Sequence, residues 1–283
     1  MCSGASNPEP SRRGPKLGRR RLFQGAVAAG GLAAAGAGGL QIAQAQESHP
    51  GRDRQGEFRW KHRSFYGYQA ANADQFLNNH NDACITNYWS NWDLCTLASV
   101  LAIGVFNEDD GLVDRAIDYM YHGEGNGSIE HAIPFVHQDE GLAQQQESGR
   151  DQGHTLMDTG LLGTICEMAW TQGVDLYGHS DNRVAKCADY VARYNLGLDV
   201  PFTTYAWGHW QTCAPREQTI VSEASRGQVR PVWNVIYHHY AGRQGWRCPS
   251  RTRTPRTAPK AGDYGDASGG YDALGFGTLT YTR

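Results

Sequence analysis

Three clusters of polar and aromatic residues hold the side-chain types needed for acid–base chemistry on a charged substrate. The first is Thr86-Asn87-Tyr88-Trp89-Ser90-Asn91-Trp92-Asp93. The second is Glu147-Ser148-Gly149-Arg150-Asp151-Gln152-Gly153-His154, and the third runs from Arg230 to Tyr240. In the third, Arg230, Tyr237 and Tyr240 stand at i, i+7 and i+10, close to one face of a helix. An arginine beside a tyrosine favours the phenolate, and such a tyrosine can take a proton and return it. Asn, Gln, His and Arg side chains together can hydrogen-bond a carboxylate and absorb its charge. Elimination from a uronic acid needs both functions. Its C5 proton becomes acidic only when the neighbouring carboxylate is neutralised, because the transition state moves negative charge onto it.

Each cluster also has a plainer reading. Tyr237 and Tyr240 serve equally as half-buried core aromatics, and of the adjacent His238 and His239 at most one shares a face with Tyr240. Asn91 reads alternatively as the N-cap of the helix that follows. Trp89 and Trp92 either stack on sugar faces or simply pack. His131, His137 and Asp139 lack metal-ligand spacing, so no metal and no cofactor is expected. Glu147 and Asp151 would be the carboxylate pair of a glycoside hydrolase, but Arg150 between them points to ion pairing instead.

The elements that must position these clusters read as mostly helical. Leu94, Leu97, Ala98, Leu101 and Val105 recur at helical spacing, as do Leu112, Val113, Ala116, Ile117 and Met120 after Asp109-Asp110-Gly111. The short connection makes the two an antiparallel hairpin. Ser148 followed by Asp151 resembles a cap signature ahead of the apolar run Leu156–Trp170, which places Gln152 and His154 at a helix start. Backbone N–H groups there favour an anion. That helix ends near Gly173. Another spans Asp181 to Asn195, with Val184, Cys187, Ala188 and Val191 inward and Gly197 as its stop. Arg230-Pro231 opens one through Ala241. Phe65–Ala73 allows a helix, Thr278–Tyr281 a short strand, and the Gly-rich connector 123–141 is long enough to suggest function.

Composition sets outer bounds. The chain has 283 residues, 40% hydrophobic, with a formal net charge of −3. That suits an enzyme-sized core and gives no basis for nucleic-acid binding. Arg19-Arg20-Arg21-Leu22-Phe23, an Ala/Gly-rich run from Ala26 to Leu40, and Ala43-Gln44-Ala45 read as a cleavable twin-arginine export signal over residues 1–45. The run is too weakly apolar for a stable membrane anchor. Residues 46–64 read as a linker, and 65–283 as one domain in a periplasmic or extracellular protein. Beyond Cys2, six cysteines remain, with a disulfide allowed but no pairing fixed by spacing.

The three clusters, with Tyr237-His238-His239-Tyr240, Gly262-Asp263-Tyr264-Gly265 and Gly275-Phe276-Gly277-Thr278, resemble the alginate lyase domain superfamily, closest to polysaccharide lyase family 38. The resemblance runs from about Phe65 to Arg283. It implies an all-α fold, an (α/α) toroid or barrel of helix hairpins, here incomplete at its N-terminus. It also implies metal-independent β-elimination on alginate or glucuronan, with one tyrosine as base and acid. Position by position, the Tyr-His-Asn-Tyr string of the relatives points to Tyr240, while their arginine seven residues before the tyrosine points to Arg230 with Tyr237. His238 stands where the family has Asn. Asn91 (or Asn87), Gln152 and His154 match the group that neutralises the carboxylate. Arg150 is a structural or subsite residue, and Trp92 and His239 complete the expected substrate contacts. A catalytically impaired uronan-binding protein on the same scaffold is the alternative.

Overall fold

The computed structural model describes residues 73, 76–228 and 230–246, and the backbone of a two-residue ladder pairing Gly51–Arg52 with Phe58–Arg59. The expected export signal, the 65–72 segment and the Gly/Tyr-rich tail lie outside the described residues.

The described part is mostly helical. Helix α1 (Ser90–Asn107) and α2 (Asp110–His122) form the expected antiparallel hairpin. Leu94, Leu97, Leu101 and Val105 of α1 are buried against Val113, Ala116, Ile117 and Met120 of α2. The turn between them is set by Glu108 in the left-handed region (φ 55°) and by Asp109, whose side chain accepts from the Leu112 N–H. That is the acidic N-cap a helix start favours. The Gly-rich connector is ordered rather than open: it contains the short helix α3 (Ile129–Ala132) and strand β1 (Phe135–His137). β1 pairs antiparallel with β2 (Leu142–Gln144), Val136 opposite Ala143.

Helix α4 (Gln152–Thr171) is the centre of the molecule, packing on α1, on α5 (His179–Asn195) and on α6 (Trp233–Tyr237). Gly160 and Gly163 let α6 approach closely, since a Cβ at Gly163 would stand 2.7 Å from Val235 and one at Gly160 2.8 Å from Val232. Gly197 (φ 87°) follows the end of α5, in the role expected of it. The helix expected from Arg230 begins later, at Trp233, and widens into a π-helical turn over His238–Arg243. A bidentate ion pair holds that turn, the Arg243 guanidinium lying 2.6 and 2.7 Å from the two Glu167 oxygens. Among the described residues no helix is long and apolar enough to cross a membrane.

Beyond the connector, the sequence reading also missed a hairpin of β3 (Tyr205–His209) and β4 (Ala214–Gln218), Trp207 opposite Arg216. Its tip is bonded to the loop before α1 by the Cys84–Cys213 disulfide, across 129 residues of sequence. Thr86 Oγ1 accepts from the Gly208 N–H and donates to the Gly208 carbonyl, adding two further links.

Candidate active site

The site assembles where the start of α1, the 3-10 turn Gln146–Gly149 and the start of α4 meet. Helix α1 begins at Ser90 with Trp89 as its N-cap, so Asn91 is a first-turn residue and not the cap. Its first free N–H groups are satisfied from a distant segment: Ser90 N donates to Gln146 Oε1 at 2.9 Å and Asn91 N to Glu147 Oε1 at 3.4 Å. An orphaned helix N-terminus needs such acceptors, so these two side chains fix how the second cluster sits on the first.

At α4 the cap is Asp151, not Ser148, which lies buried in the preceding 3-10 turn. Asp151 Oδ1 accepts from the His154 N–H at 2.8 Å, and its Oδ2 lies 2.6 Å from His154 Nδ1. The Gln152 N–H donates to the Ala224 carbonyl. The start of α4 is therefore closed by its own cap and by loop 222–228, and the expected anion seat on its bare N–H groups is not formed.

What is presented outward is the imidazole. Its side chain is 36% exposed and oriented by the Asp151 carboxylate through Nδ1. Burial pushes the Asp151 carboxyl up, but the His154 hydrogen bonds and the His154 and Arg150 charges outweigh it and hold it below its ordinary value. An ionised carboxylate behind a histidine fixes tautomer and orientation, the arrangement of a general base.

Arg150 stands beside it. Its guanidinium lies 3.2 Å from Glu147 Oε2 and 5.1 Å from the Trp89 ring centre. The Trp89 ring lies 5.0 Å from that of Trp207, and Trp207 stacks on Tyr205 at 5.8 Å. This ladder ties the hairpin to the site. Glu147 itself has no exposed side chain, and burial lifts its carboxyl to about 7 despite Arg150 and the Asn91 N–H. Beneath it Asp158, bonded by the Ser90 hydroxyl, is raised well above its ordinary value by burial and then by the Glu147 charge. The hydrolase pair is thus absent here: Glu147 is enclosed and Asp151 is committed to His154.

A raised carboxylate gives a signed prediction. Between its unfolded value near 4.5 and the folded value near 7, Glu147 holds more proton in the native than in the unfolded state, so its contribution to stability falls as pH rises through that window. Glu147→Gln mimics the protonated form. Its Tm minus that of the wild type is expected to move upward between pH 4.5 and 7 in thermal melts; a flat difference would contradict the assignment.

The structure brings Asn91, Arg150 and His154 together. Asn91 is half-buried, and its Oδ1 has no hydrogen-bond partner among the described residues. Trp92 is 53% exposed on the same α1 turn, beside Tyr88 at 5.7 Å. Asn87 has its Oδ1 engaged by the Trp210 N–H at 2.5 Å, which ties it to the hairpin tip. Gln152 is turned inward: its Nε2 donates to the Ser148 and Ser222 carbonyls and its Oε1 accepts from Asn195. With its amide committed inside the protein, it braces the loop rather than meeting substrate.

The third cluster divides. Gln228 packs on Gly153 and Val232 on Gly160, so the segment that carries Arg230 crosses the first half of α4. Tyr240, Tyr237 and His239 lie further along, where α6 follows α4 past Gly163 toward Glu167 and Trp170. Nine residues separate His154 from Gly163, about 14 Å of helix rise. Tyr240 is 2% exposed and its hydroxyl donates to the Tyr177 carbonyl at 2.7 Å. His239 is buried and stacked 3.8 Å from Tyr177, and burial, then Arg243, lowers it to about 3, so it is neutral. Tyr237 is half-buried against His238. Tyr240 and His239, expected at the substrate, lie in an apolar pocket lined by Tyr177, Trp170 and Trp246.

Comparison with protein families gives a match to the alginate lyase family over residues 22–199. That is more than half of the chain, and the chain belongs to this family. The matched residues include Asn87, Asn91, Trp92, Arg150, Gln152 and His154, and stop short of the hairpin, Arg230, Tyr237, His239 and Tyr240. No curated protein and no solved structure matches significantly. Membership supports a polysaccharide lyase activity on an anionic polysaccharide.

Proposed function

We propose that the protein is an exported polysaccharide lyase that cleaves a β-1,4-linked uronan, alginate or glucuronan, by β-elimination at the Asp151–His154 dyad. The single observation that carries this reading is the half-exposed imidazole held through Nδ1 by the Asp151 carboxylate, which itself lies 3.8 Å from Arg150 Nε. The uronate carboxylate is met by Arg150 and by the Asn91 amide, and its negative charge is absorbed as C5 becomes carbanionic. His154 Nε2 takes the C5 proton. The C5–H electrons form the C4–C5 double bond, the C4–O4 bond breaks, and the imidazolium returns the proton to the departing oxygen. Arg230 supplies a further cation to the polymer. An (α/α) toroid incomplete at its N-terminus belongs to the same proposal, as does release through the twin-arginine signal.

Two rivals stand on the same scaffold: Tyr240 as the base, which the family resemblance implies, and a uronan-binding protein without turnover, whose wild type releases no unsaturated product. Tyr240→Phe separates the first from the dyad reading. On the dyad reading this variant keeps its kcat within a few-fold and loses about 1 kcal/mol of stability, the cost of the deleted hydrogen bond to the Tyr177 carbonyl. Unsaturated-product release and a urea melt, measured side by side, test it. Abolished turnover in a variant of unchanged fold would return the base to Tyr240.

A further inference from the structure

The hairpin tip carries a residue that neither packing nor the dyad uses. Trp210 is 58% exposed, yet its backbone is anchored by three hydrogen bonds. Its N–H donates to Asn87 Oδ1, its carbonyl accepts from the Cys84 N–H at 3.0 Å and from the Cys213 N–H at 3.4 Å, and Cys213 is disulfide-bonded to Cys84. Its φ is +60° and that of Cys213 is +51°. A bulky aromatic residue in the left-handed region is an outlier that the surrounding structure must hold in place. A large apolar ring kept in water by a strained, thrice-anchored backbone gains nothing from folding. The loop that anchors it, Cys84–Asn87, runs directly into Trp89–Asn91 of the site, and the same hairpin contributes Trp207 to the Arg150–Trp89 ladder.

We propose that Trp210 is a stacking platform for a sugar ring of the polysaccharide, at a subsite beyond the reacting unit. The proposal rests on the uronan reading above. A pyranose presents an apolar face of C–H groups, which an exposed indole covers, and a rigid platform spends little ordering entropy in doing so. The occupant is a residue of the substrate chain and not a protein partner: the patch is a single ring flanked by polar His209 and Thr212, too small for a protein interface.

The test is retardation of the full-length mature protein in native gels cast with alginate or with glucuronan, comparing wild type, Trp210→Ala and Trp210→Phe. Trp210→Ala is expected to weaken retardation by about three- to tenfold, Trp210→Phe to restore most of it, and both to melt at the wild-type temperature. In turnover assays the alanine variant is expected to raise KM on polymer with kcat unchanged, the mark of a contact made equally before and during reaction. Equal retardation of all three proteins overturns the proposal, as does a wild type retarded by neither polymer. A wild type that is retarded but releases no unsaturated product sinks the lyase reading and leaves the platform standing.

Discussion

Replacing His154 by alanine is expected to lower kcat by about 10²- to 10⁴-fold with little change in melting temperature. The magnitude is that of a removed general base. Stability is spared because the imidazole is one of the more exposed polar groups of α4, and the Asp151 cap keeps its bond to the residue-154 N–H. Asp151→Asn is the sharper companion. It retains the capping oxygen but removes the charge behind Nδ1, so activity falls while the helix start survives. Steady-state kinetics on the cleaved uronan with thermal melts check both. A His154→Ala enzyme within tenfold of wild type would place the base elsewhere.

The second large effect concerns the hairpin. Cys84→Ser with Cys213→Ser is expected to cost about 2–5 kcal/mol, because the bond closes a loop of 129 residues whose entropy the unfolded chain would regain. The loss should also reach function. Without the tether, the Thr86–Gly208 and Asn87–Trp210 links must hold the hairpin alone, and with it Trp207 against Trp89 and Arg150. Urea unfolding of the double variant, followed by its KM on polymer, measures both. A variant as stable as the wild type would show that the bond closes no loop of consequence.

Much of this architecture is legible in the sequence, for local reasons. The α1–α2 hairpin follows from apolar spacing and from Asp109, because both signals act within four residues. The crowding of Glu147 to His154 identifies the site for the same reason. Ser148 and Asp151 compete as caps, and what decides for Asp151 is which side chain reaches the His154 N–H; Ser148 is buried in the turn, its carbonyl accepting from the Ser222 N–H. What the sequence hides is long-range. The β3 alternation of Tyr205 and Trp207 is short and ends in polar residues, and its partner is fixed by a disulfide whose spacing carries no signal. Arg230, Tyr237 and Tyr240 are spaced for one helix face, but the helix begins only at Trp233 and widens at His238, and spacing cannot tell which neighbour that helix meets. Here it meets Gly163, Tyr177 and Glu167, and the glycines of α4 that permit the approach are visible in the sequence only in retrospect.

The central claim is that this chain cuts a uronan by elimination at His154. Its most direct test is ultraviolet absorbance of the new C4–C5 double bond, with polymannuronate, polyguluronate and glucuronan offered separately to the folded mature protein and to His154→Ala. A rise with at least one polymer in the wild type, absent in the variant, is the predicted result and names the substrate. A flat trace from a folded wild type on all three polymers would contradict the claim.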